Sequence, residues 1–127
     1  MSLRIALKLD AVVTGANGAA YLFAAGPLAD LLGLSPTLLR SIGAFLLLFA
    51  AVVWLVAVRV EISPTAALVV IAVNVLWAID SLAFVALGFS EPTTAGVVWI
   101  VLQALVVAGF AELQAVARGR GVRAYAA

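Results

Sequence analysis

Apolar residues run through this chain in four long stretches, and polar residues interrupt them at regular places. Three stretches open on similar punctuation: Ser35-Pro36-Thr37, Ser63-Pro64-Thr65 and Glu91-Pro92-Thr93. Each leads into about twenty mostly apolar residues, the length that crosses a bilayer as an α-helix. A fourth apolar stretch precedes them. The pattern predicts an all-α protein, a transmembrane four-helix bundle with helices over residues 3–25, 36–58, 64–88 and 92–117. Gly26-Pro27 breaks the first helix, and residues 28–34 are expected as a short interfacial turn or a bent continuation. Residues 118–127 read as a basic, frayed cytoplasmic tail. A single membrane domain then uses the whole length.

The Pro-Thr starts have a mechanical reason. Proline suits the first position of a helix because its missing N–H would be unpaired there anyway. Ser35 and Ser63 can accept a bond from first-turn amides, and Glu91 suits the positive end of a helix. The starts fall 28 residues apart. A spanning helix plus a tight turn has about this length, so the spacing needs no functional repeat.

Polar side chains at membrane depth are costly, so their arrangement carries information about function. In the first helix Asp10, Thr14, Asn17 and Tyr21 follow i, i+4, i+7 and i+11, which makes one stripe. Gly15 and Gly18 flank that stripe and permit close backbone approach. The third helix carries Asn74, Trp77 and Ser81 on one face, bordered by Asp80. The fourth carries Gln103 near mid-depth, with Trp99, Phe110 and Gln114 broadly on the same face. Thr14, Asn17, Asn74, Trp77, Asp80 and Gln103 therefore form the candidate polar seam, serving either helix packing or a ligand. Depth also pairs Arg40 with Asp80 as a candidate ion pair in the outer half. Asp10 and Glu112 read as interfacial charges near the inner end, within reach of Arg4, Lys8 or Arg118. The second helix is almost wholly apolar after Gly43 and should face lipid or another apolar surface.

Composition narrows the function classes. Of 127 residues, 67% are hydrophobic and 10% charged, and the mean hydropathy is +1.29. A soluble domain is nearer half apolar and a quarter charged. Cysteine and histidine are both absent. That removes disulfides, thiolate metal sites, the usual b-type haem ligand and the commonest zinc ligand. The one lysine, Lys8, starts the first helix, which leaves no lysine at depth for a retinal Schiff base. No nucleophile–base set or phosphate loop appears, so neither an enzyme nor a cofactor is expected. Asp10, Thr14 and Asn17 interrupt the first apolar stretch, so it is expected to be retained as a helix rather than cleaved as a signal peptide.

Charge placement predicts orientation. With four crossings, Arg4, Lys8, Arg59, Arg118, Arg120 and Arg123 fall on one side and Arg40 alone on the other. By the positive-inside rule both termini are cytoplasmic, in a multi-pass protein of the bacterial cytoplasmic (inner) membrane.

Leu9-Asp10-Ala11 followed by Gly15 and Gly18, Leu39-Arg40 followed by Gly43, Asn74-Val75-Leu76-Trp77 and Ala111-Glu112-Leu113-Gln114 are short pieces spread over most of the chain. In these pieces it resembles uncharacterised small four-helix integral membrane proteins of bacteria with GC-rich genomes. The resemblance implies the fold and no activity. Two expectations follow from the residues. The first is a structural, accessory or oligomeric membrane component without catalysis, whose partners are the lipid bilayer and a homo-oligomer or larger complex, with no nucleic acid. The alternative is a small homodimeric transporter or channel that uses the polar seam.

Overall fold

The computed structural model describes residues 2–88 and 91–126, with side chains through Arg120. Five helices follow one another: α1 Leu3–Phe23, α2 Ala25–Leu32, α3 Pro36–Ala57, α4 Pro64–Ala86 and α5 Thr94–Ala126. The four expected helices are thus α1, α3, α4 and α5. The segment after Gly26-Pro27 is the short helix α2.

The serine caps form as the sequence suggests. Ser35 Oγ accepts from Leu38 N at 3.3 Å, and Ser63 Oγ accepts from Ala66 N at 3.2 Å. The last helix departs from the expected pattern. It begins at Thr94, two residues beyond Pro92, and the cap is Thr93 rather than Glu91. The reason is tertiary. Thr93 N donates to Leu32 O at 3.1 Å, and its hydroxyl donates to Leu31 O at 2.7 Å. The same hydroxyl oxygen accepts from Gly96 N at 3.0 Å. Those bonds hold the chain against the end of α2, where Gly33 turns with φ +69 and closes the helix. A second correction concerns residues 118–127, expected as a frayed tail. The helix continues to Ala126. The arginines and alanines of this run favour a helix, Gly119 and Gly121 weaken it, and no proline interrupts it.

The long helices are arranged as two pairs. α1 lies along α3, and α4 along α5. α1 also meets α5, whereas α3 and α4 barely touch. The α1–α3 contact is close because two glycines face each other. A Cβ on Gly43 would lie 2.7 Å from the Gly18 carbonyl oxygen and 2.7 Å from Leu22 N. Apolar clusters fill the two ends. One gathers Tyr21, Leu32, Leu39, Leu46 and Ile100; the other gathers Leu7, Ala11, Val53 and Val70.

Polarity runs inside-out. Leu48, Leu55, Val69, Leu76, Ile79 and Leu105 are exposed, while Asp10, Asn74 and Gln114 are buried. In water this would leave a large apolar surface unprotected. In hydrocarbon it is the favourable arrangement, because lipid tails are as apolar as leucine. Three helices, α3, α4 and α5, are long and apolar enough to cross a membrane. The 22 residues of α3 rise about 33 Å, against a hydrocarbon core of about 30 Å. α1 is the exception, because Lys8, Asp10, Thr14 and Asn17 lower its hydropathy. Its polar groups turn toward protein instead.

One end of the molecule collects positive charge. Arg4 donates to the carbonyls that end α3: to Ala57 O, to Arg59 O at 2.8 Å and to Val60 O at 3.1 Å. Cations near a helix C-terminus offset its negative dipole end. Arg118 Nε donates to Pro64 O at 2.9 Å. Arg4 thus holds the start of α1 to the turn after α3, and Arg118 holds α5 to the start of α4.

Candidate functional site

The polar stripe of α1 faces the α4/α5 pair, and the hydrogen bonds there fall into three successive sets, of which the first and the last include α1. The innermost is built on Asp10, whose side chain is 1% exposed. Asp10 Oδ2 accepts from Asn74 Nδ2 at 2.7 Å and from Gln114 Nε2 at 2.7 Å. Asp10 Oδ1 accepts from Thr14 Oγ1, one turn along the same helix, at 2.8 Å. Asn74 Nδ2 also donates to Gln114 Oε1 at 3.1 Å, which closes a triangle across three helices. A carboxylate oxygen can only accept, so Asp10 dictates which way both amides point. The Asn74 amino group and the Gln114 amino group must turn toward it.

The middle set is centred on Gln103. Its Oε1 accepts from Trp77 Nε1 at 3.3 Å, and its Nε2 donates to Ser81 Oγ at 3.2 Å. These bonds tie α4 to α5. In the outermost set Trp99 Nε1 donates to the Tyr21 hydroxyl at 2.6 Å, and Asn17 also hydrogen-bonds that hydroxyl. Among the described residues, no buried side-chain nitrogen or oxygen is left without a partner. Burial of polar groups is tolerable on that condition.

Beside the seam, between the two helix pairs, lies a cavity of about 490 Å³. Thr14, Asn17, Asn74, Trp77 and Gln103 contribute its polar wall. Val13, Phe45, Phe49, Val106, Val107 and Phe110 contribute its apolar wall. Phe45 stacks on Trp77 at 5.8 Å between ring centroids, bridging α3 and α4 where their backbones stand apart. Five of the six residues proposed for the seam thus meet at one place.

Asp80 is the sixth. It is exposed and lines a smaller cavity of about 200 Å³, sharing its wall with Trp77, Ser81 and Gln103 of the middle set. The expected Arg40–Asp80 ion pair does not form. Both residues are exposed, and no ion pair joins them among the described residues. The two side chains therefore act independently. In Arg40→Met, Asp80→Asn and the double variant, changes in thermal stability are expected to add to within about 0.5 kcal/mol. A double variant more stable than either single one would restore the pair.

The interfacial role expected for Asp10 is also corrected. Asp10 lies beside Asn74, which is halfway along α4, and none of the offered cations reaches it. Lys8 is two residues away, about 200° around the helix. Its Nζ sits 5.5 Å from the centroid of the Trp54 ring. Arg4 and Arg118 are engaged with backbone carbonyls. Glu112, the second interfacial charge, is exposed beside Arg120 in a shallow groove on α5. Gln114 was legible as a neighbour of Gln103, eleven residues and three turns away, but not as a partner of Asp10.

Among the described residues, no group of three or more His, Cys, Asp or Glu side chains is gathered that would hold a metal ion. No protein-family model matches this chain, and neither a curated protein nor a solved structure matches it.

Proposed function

We propose that the chain is a four-pass protein of a bacterial cytoplasmic membrane, with both termini in the cytoplasm, serving as a non-enzymatic accessory or scaffold component. Its partners are lipid and either further copies of itself or a larger membrane complex. The observation that carries this reading is the closed seam. Asp10, Asn74, Gln103 and Gln114 each hydrogen-bond a neighbouring helix, as interhelical ties do. A conducting path would need such groups turned toward continuous water. The seam also accounts for α1 as a crossing. Its 21 residues span about 31 Å, and its stripe is shielded by α4 and α5. The basic end formed by Arg4, Arg59 and Arg118 favours the cytoplasmic side.

Reporter fusions test the topology. Alkaline phosphatase fused after Ala127 is expected to be inactive, and fused at Glu91 to be active. Activity at Ala127 would overturn the orientation. Crosslinking in intact membranes tests the role: a species larger than the single chain is expected. A chain that stays single and recovers no partner would overturn the scaffold reading.

A further inference from the structure

We propose that the cavity between the helix pairs binds a lipid-soluble alcohol. The apolar body lies among Val13, Phe49, Val106 and Phe110, and the hydroxyl donates to Asn74 Oδ1. This rests on the membrane placement proposed above and goes beyond it.

The volume of about 490 Å³ falls within the range of roughly 300–1,000 Å³ that small-molecule sites occupy. Such sites are mostly apolar, with a few fixed polar groups. This cavity has that character. It also lies midway along the helices, away from either aqueous end. Val13 is 45%, Phe45 46% and Val106 44% exposed, so the cavity opens along an outer edge of the bundle. In a bilayer that edge faces hydrocarbon, and the occupant must arrive dissolved in lipid.

Asn74 supplies the polar recognition. Its side chain is 97% buried by exposure (3% accessible), and its amino group donates to both Asp10 and Gln114. Its carbonyl oxygen has no hydrogen-bond partner among the described residues. No buried polar atom is unpaired among the described residues, so this oxygen reaches accessible space, and Asn74 lines the cavity. Asp10 prevents the amide from reversing, so the cavity is offered an acceptor and requires a donor. A charged donor would carry a desolvation cost to this depth that a neutral one does not. A neutral hydroxyl on an apolar body fits both constraints.

The test uses the full chain in phosphatidylcholine nanodiscs and a long-chain primary alcohol carrying a photoreactive diazirine in its chain. Label is expected on the segments around Val13, Phe49 and Val106. The unlabelled alcohol should compete about tenfold better than its methyl ether, which keeps the shape and loses the donor. Val106→Trp, which fills the cavity without touching the hydrogen-bonded seam, should lower the labelling by about tenfold. Label spread evenly over exterior positions such as Leu55 and Leu76, or equal competition by alcohol and ether, would overturn the site, leaving the Asn74 oxygen to water alone. Carbonate extraction of the native membranes separates the two failures. Retained protein without cavity labelling overturns the site only. Extracted protein overturns the membrane placement and the site with it.

Discussion

Asp10→Ala is expected to destabilise the protein by about 3 kcal/mol, whereas Asp10→Asn retains most of the wild-type stability. The reasoning starts from the donors that Asp10 serves. Alanine leaves the Asn74 amino group with Gln114 Oε1 alone, and leaves Gln114 Nε2 with nothing. A buried donor left unsatisfied costs about 1–3 kcal/mol. Hydrogen bonds between membrane helices average only about 0.6 kcal/mol. Alanine removes three hydrogen bonds at once, two of them between helices. The cavity left by the carboxylate adds to the loss. Asparagine keeps the shape. Its carbonyl oxygen can take the place of Oδ2 and accept from both amides, and its amino group then faces Thr14. The Thr14 hydroxyl, a donor to Asp10 at 2.8 Å, can rotate and accept instead. Unfolding in mixed micelles would rank the three proteins. An alanine variant as stable as the asparagine variant would show that the triangle contributes nothing to the fold.

The second large effect is expected at the crossing of α1 and α3. Gly43→Ala should cost about 2 kcal/mol, in the range of overpacking a filled interior. The new methyl would meet the Gly18 carbonyl and the Leu22 backbone nitrogen, neither of which can swing aside as a flexible side chain can. α1 and α3 would have to separate, and the stripe of α1 would shift relative to α4 and α5. Gly109→Ala gives the matched comparison. Nothing lies within 4 Å of a Cβ there, and the position is inside α5. Alanine is favoured over glycine in a helix by about 0.8–1.0 kcal/mol, so this variant should be more stable than the parent. The same chemical change thus acts with opposite sign at two glycines. Equal effects at both would remove the close crossing as a source of stability.

The four long helices could be read from the sequence because their signals are local. Ser35-Pro36 and Ser63-Pro64 start α3 and α4 where expected, since cap and proline act within one turn. The start of α5 could not be read in this way. Thr93 is held outside the helix by Leu31 and Leu32, sixty residues earlier in the chain, and no local rule anticipates that. The seam was legible as a set of faces. Periodicity places Asp10, Thr14 and Asn17 on one side of α1, and Asn74, Trp77 and Ser81 on one side of α4. Periodicity does not state depth between helices. Asp10 is eighth in α1, and its position near the helix start suggested an interfacial charge. The pairing with Asn74 depends on how far α1 is shifted along the α4/α5 pair, which the packing of α1 on α5 and the Trp99–Tyr21 bond settle. Arg40 and Asp80 fail as a pair for the related reason that α3 and α4 scarcely meet.

The triangle also has a consequence for biosynthesis. In a chain made from its N-terminus, Asp10 emerges 104 residues before Gln114, the last of its partners. Until Gln114 has emerged, the nascent protein carries a carboxyl group whose shielding is unfinished. A chain that stops short of Gln114 keeps that acid without its full set of donors.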